Sequence, residues 1–155
     1  MTRGFRGESM HRSLEEIKAG LVALSPSDFD IQRVEITGPA RLNQLCNEIE
    51  ALEVAEPVFE ALFSTLERLD GCDLGSPGPI VHALEAMPGY EQFLSISVSR
   101  KPTPLTVWMI NRAMNGDPAD DVKWIQLLKQ TLTHTKASAT VKEEAAEFLE
   151  FQSQQ

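Results

Sequence analysis

"SPGPIVHALEAMPGYEQFLSISVSRKPTPLTVWMINR", residues 76–112, decides the fold. Three short apolar runs are divided by proline and glycine at regular intervals. Pro79 starts a helix carrying Ile80, Val81, Leu84 and Met87. Pro88 starts another, with Tyr90, Phe93, Leu94 and Val98. Thr103-Pro104 then reads as N-cap and first helical position of a third, holding Leu105, Trp108, Ile110 and Met114. Proline is tolerated in the first helical turn because its missing N–H would have no partner there. The apolar residues recur at three- and four-residue steps, the spacing of one helix face.

The same grammar extends in both directions. Ser13 and Glu16 form a capping box ahead of Leu14, Ile17, Leu21 and Leu24. Gly38-Pro39 opens a helix with Leu42, Leu45, Cys46, Ile49 and Leu52, and Pro57 sits in the first turn of the next. Asp117-Pro118 starts another, and Ser138 or Thr140 the last. Only "DIQRVEIT", residues 30–37, reads as a weak strand or linker. These starts predict an all-α fold of about seven or eight helices joined by short connections. Antiparallel hairpins in an irregular HEAT-like stack are expected, since no strict repeat is visible. A compact helical bundle is the other arrangement. The domain organisation predicted is a mobile basic tail over residues 1–12 and one helical domain over 13–155.

The chain has 155 residues and a formal charge of −9. That length lets roughly 68–70% of the unfolded surface be buried, enough for a self-supporting core. The acidity argues against nucleic acid as a partner, because a basic footprint is lacking. Between Arg41 and Gly75 eight acidic residues face only two arginines. Such a stretch can be a set of solvated helix faces or a docking surface for a cationic protein. No signal peptide or membrane-length apolar run is present, so a cytoplasmic location and no membrane contact are expected.

His82 and Glu85 share a helix face three residues apart, the one pattern here that suggests chemistry. A metal centre on helices needs ligands from further motifs, and neither His11 nor His134 belongs to one. A structural reading is preferred, with His82, Glu85, Arg100, Asn111 and Arg112 forming a polar network between hairpins and Glu85 or Glu91 facing Arg100 or Arg112. The two cysteines, Cys46 and Cys72, have no CxxC spacing, and acidic neighbours disfavour a Cys72 thiolate. There is no GxSxG elbow and no phosphate-binding loop. Neither a catalytic residue, a metal nor a cofactor is expected.

Residues 75–115 resemble a segment of small bacterial immunity proteins of polymorphic-toxin, contact-dependent inhibition and Rhs-type systems. The residues concerned are Gly78, Pro79, Val81, His82 and Glu85; Gly89 and Tyr90; Ser97, Arg100, Pro102 and Thr103; and Thr106, Trp108, Met109, Asn111 and Arg112. The resemblance covers about 40 of the 155 residues. It implies a cytoplasmic, non-catalytic antitoxin that binds a cognate toxin protein encoded by the adjacent gene. Nuclease toxins tend to be basic because they bind phosphate, so an acidic antitoxin would be steered onto one. The expected toxin-binding residues are Asp70, Asp73, Glu91, Asp117, Asp120 and Asp121, with Tyr90 as an anchor. The alternatives are a helical-repeat adaptor with a non-toxin partner and an enzyme or metal protein built on His82 and Glu85.

Overall fold

A computed structural model describes residues 12–33, 35–52, 56–116 and 121–154. Among them the fold is all-α: eight α-helices, one 3-10 turn and no strand. The helices are α1 (Leu14–Ala23), α2 (Gly38–Glu50), α3 (Glu56–Arg68) and α4 (Pro79–Glu85), followed by α5 (Tyr90–Arg100), α6 (Pro104–Gly116), α7 (Asp121–Thr131) and α8 (Ala139–Ser153). The 3-10 turn, Pro26–Phe29, follows α1.

Local capping explains most of the starts. Ser13 accepts from the Glu16 backbone N–H at 3.2 Å, and the Glu16 carboxylate accepts from the Ser13 N–H at 2.9 Å. Thr103 and Thr106 make the same exchange inside the protein: each side chain accepts from the other's backbone N–H, at 3.1 and 3.0 Å. Ser138 caps α8 through Val141 N–H at 3.2 Å. Each bond satisfies a donor that the first helical turn leaves open. The Asp117-Pro118 start lies outside the described residues.

Two local expectations are corrected. Residues 31–33 are turn and bend rather than strand, and Ile31 is 80% exposed. The Asp30 carboxylate accepts from Gln32 N–H at 2.9 Å, and Arg33 N–H donates to Asp30 O at 3.1 Å. Those local bonds satisfy backbone that a strand would have to pair elsewhere. The helix assigned to Pro88 begins at Tyr90, because Gly89 takes a left-handed conformation (φ 89°) just before it.

The chain gathers into two compact units. The first comprises residues up to Thr65 with Gly71–Pro88, and the second Leu66–Asp70 with residues from Gly89 onward. The boundary at Thr65 falls inside α3. In the first unit α2 is the hub: it packs on α1, on the 3-10 turn and on α4. Its inner face is Leu42, Leu45, Cys46 and Ile49, each at most 3% exposed. α4 contributes Ile80, Val81, Ala83 and Leu84, all buried. Phe59, Leu62 and Phe63 of α3 are also sealed from water. Burying a side chain of that size stabilises the fold by about 1.5–3 kcal/mol.

In the second unit each of α5 to α7 packs on its successor, and α5 also meets α7 while α6 meets α8. That is the pairing expected when one helical hairpin lies on the next. Leu94 and Val98 of α5, Val107, Met109 and Ile110 of α6, and Trp124 and Leu128 of α7 are each at most 1% exposed, as are Val141 and Ala145 of α8.

The described chain begins at Arg12, which the sequence assigns to the mobile tail. Its guanidinium instead donates twice to Glu48, Nε to Oε1 and Nη2 to Oε2, both at 2.8 Å. The rest of that tail lies outside the described residues.

Candidate interaction surface

The acidity of the chain is divided unequally between the units. Among the described residues the first unit carries eleven carboxylates against four cations, while the second carries eight of each. The four described cations of the first unit are all engaged within it. Arg12 holds Glu48, Lys18 reaches Glu15 at 3.5 Å, Arg41 faces Asp28 at 3.6 Å, and Arg33 donates to Ser27 O at 3.1 Å. The remaining carboxylates therefore give the first unit a negative field that its own cations do not cancel.

The first unit also contains an open groove of about 340 Å³ between α2 and the start of α4. Asn43, Asn47 and Glu50 line the α2 side, with Cys46 at its base. These three polar residues recur at four- and three-residue steps and form one exposed strip flanking the buried stripe of α2 on its Cys46 side. Pro77, Gly78, Pro79 and His82 line the other side. Gly78 has φ 93°, and a Cβ there would collide with Leu74 O. Only glycine fits that close return of the loop, which sets where Pro79 and hence His82 stand.

His82 is exposed, contrary to the expectation of a buried hydrogen-bonding role. The reason is helical phase. The buried residues Ile80, Val81, Ala83 and Leu84 occupy one side of α4, leaving His82 about half a turn away. Among the described residues the side chains of Asn43, Asn47, Glu50 and His82 make no hydrogen bond or ion pair within the chain. Cys46 is unsuited to nucleophilic chemistry. Burial first, and then the nearby Glu50 charge, push its thiol up to about 12. No disulfide joins it to Cys72. Among the described residues no grouping of three or more His, Cys, Asp or Glu side chains could hold a metal ion.

The residues expected to form one polar network are divided between the two units. Glu85 is half-buried in the first unit, with His82. Arg100, Asn111 and Arg112 belong to the second unit. There Arg100 binds Glu67, with Nε to Oε1 at 2.8 Å and Nη2 to Oε2 at 2.7 Å. Ser97 Oγ donates to the same carboxylate at 2.7 Å, and Lys101 Nζ donates to Glu67 O at 2.9 Å. Asn111 Oδ1 accepts from Gln152 Nε2 at 2.8 Å, tying α6 to α8. The Arg112 guanidinium lies 5.4 Å from the Trp108 ring centroid. His134 Nδ1 accepts from Lys136 N–H at 3.1 Å, so Nε2 carries the proton and donates to Ser99 O at 2.8 Å.

The expected toxin-binding residues are likewise distributed. Asp73 is exposed in the first unit, its carboxylate accepting from Gly75 N–H at 3.1 Å. Asp70, Tyr90, Glu91 and Asp121 belong to the second. Glu91 is exposed, whereas Asp70, Tyr90 and Asp121 are half-buried. Asp117 and Asp120 lie outside the described residues. Sequence reasoning missed Asn43, Asn47 and Glu50, although their spacing beside an apolar stripe marks them as one exposed strip.

Among the described residues no helix is long and apolar enough to cross a membrane. Compared with protein-family models, curated proteins and solved structures, the chain finds no match.

Proposed function

We propose that this chain is an immunity protein that binds a basic toxin domain and neutralises it by occupying its surface, without catalysis of its own. The observation that carries this reading is the charge of the first unit: eleven described carboxylates against four cations, each of the four already held within the unit. A surface of that kind attracts a cationic protein at long range and speeds its docking. The resemblance of residues 75–115 to immunity proteins supplies the class of partner. The layered helices of the second unit support a HEAT-like stack, a scaffold that presents side chains on rigid helices. A cytoplasmic location follows from the same reading, because an antitoxin must meet the toxin where it acts.

Co-expression with the product of the neighbouring gene tests the proposal. The neighbour alone is expected to arrest growth, and this chain is expected to restore it and to co-purify in a 1:1 complex. A neighbour that is harmless and unbound overturns the reading. A non-toxic partner captured at the same surface would instead select a helical adaptor.

A further inference from the structure

We infer that the groove between α2 and α4 is a receptor for an arginine side chain presented by a basic partner. The inference rests on the reading of the chain as a toxin-binding protein and locates the contact within it.

Three observations converge on this occupant. The groove is lined by one carboxylate, Glu50, and by no lysine or arginine. It belongs to the unit whose four described cations are already engaged, so no described cation of that unit is left to neutralise it. Its polar side chains are exposed and make no hydrogen bond among the described residues, so they can take a ligand without breaking existing contacts.

The lining also favours arginine over lysine. A guanidinium offers five N–H donors in a plane and two flat faces. Glu50 can accept two of those donors, and the amide oxygens of Asn43 and Asn47 can accept others along the same helix side. His82 and Pro79 give the opposite wall flat surfaces against which a guanidinium can stack. An ammonium can use the carboxylate but not the walls. The volume is at the lower end of small-ligand sites, about 300–1,000 Å³, which suits one long side chain rather than a folded element. Cys46 closes the base as a thiol, so it adds no competing charge.

The test uses the intact chain and three short capped peptides, Gly-Arg-Gly, Gly-Lys-Gly and Gly-Gln-Gly. NMR titration would follow the side-chain amides of Asn43 and Asn47 and the ring of His82. The arginine peptide is expected to give saturable shifts at all three. The lysine peptide should bind several-fold more weakly and the glutamine peptide should give none. Glu50→Gln, an exposed isosteric change, should weaken the arginine peptide about tenfold, as expected for a charge-assisted contact. Absence of saturable arginine shifts at these residues, or equal binding by the Gln variant, overturns the inference. Binding to the neighbouring gene product separates the two levels. If the wild-type chain binds it and Glu50→Gln binds equally well, the groove assignment fails while the immunity reading stands. If the product does not bind at all, that reading fails, and the peptide titration still decides whether the groove accepts arginine.

Discussion

Glu67 and Arg100, 33 residues apart in sequence, form a two-point ion pair with bonds of 2.7 and 2.8 Å. The Glu67 side chain is 12% exposed, and it also accepts from the buried Ser97 hydroxyl. Removing the carboxylate strands the buried Ser97 hydroxyl, whereas Arg100, whose side chain is 39% exposed, can turn to water. Glu67→Ala is therefore expected to destabilise the protein by about 1–2 kcal/mol, mostly through the unsatisfied Ser97 hydroxyl. Arg12 and Glu48 make an equally short pair, but their side chains are 42% and 24% exposed. Arg12→Ala should cost only about 0.5–1 kcal/mol. Urea denaturation of the two variants compares them, and equal losses would contradict the role given to Glu67.

Gly78 and Gly71 both have positive φ, at 93° and 98°, but differ in their surroundings. A Cβ at Gly78 would strike Leu74 O, whereas one at Gly71 meets nothing within 4 Å. Gly71→Ala should cost about 1 kcal/mol from backbone conformation alone. Gly78→Ala should cost more than about 3 kcal/mol or force the loop to rebuild, because the clash adds to the same strain. Thermal unfolding of both variants measures the difference, and equal destabilisation would show that the loop is not held as described.

The cysteines should separate by reactivity. Cys46 is 1% exposed and its thiol is pushed up to about 12, while Cys72 is half-buried. At pH 8, iodoacetamide should modify Cys72 in the folded protein and Cys46 only after unfolding. Mass spectrometry of the alkylated peptides reads this directly. Early modification of Cys46 would contradict its burial under the groove.

The carboxylates make opposing contributions to pH dependence. Hydrogen bonds from Ser13 lower the Glu16 pKa, and bonds from Ser25 lower that of Asp28. Their stabilisation is complete above the ordinary carboxylate range and fades as pH falls through the lowered folded values. Glu144 behaves in the reverse sense. Burial raises its pKa, helped by Glu147, and its Oε1 is enclosed without a hydrogen-bond partner among the described residues. The cost of its charge is present at neutral pH and is relieved as pH falls through the raised value. Glu144→Gln is expected to raise Tm slightly at pH 7 and to lose that advantage at pH 4. A gain that persists unchanged in acid would exclude charge burial as its cause.

Much of the fold was legible because its signals are local. The caps at Ser13, Thr103 and Ser138 and the proline at Pro79 act within a few residues of themselves. Glu67 was not legible as the partner of Arg100, since nothing local links positions so far apart. The His82 outcome was open to a stricter reading, because Ile80, Val81, Ala83 and Leu84 already point α4 one way and His82 the other. "DIQRVEIT" misled because alternation suggests a strand only when a neighbouring strand exists to pair with it. The Asp30 turn satisfies the backbone more cheaply.

The association rate between this chain and the product of the adjacent gene, measured at increasing ionic strength, tests the central claim most directly. A 1:1 complex is expected, with a rate that falls at least about tenfold between 10 mM and 200 mM salt as steering is screened. Absence of a complex, or a rate indifferent to salt, would contradict the account.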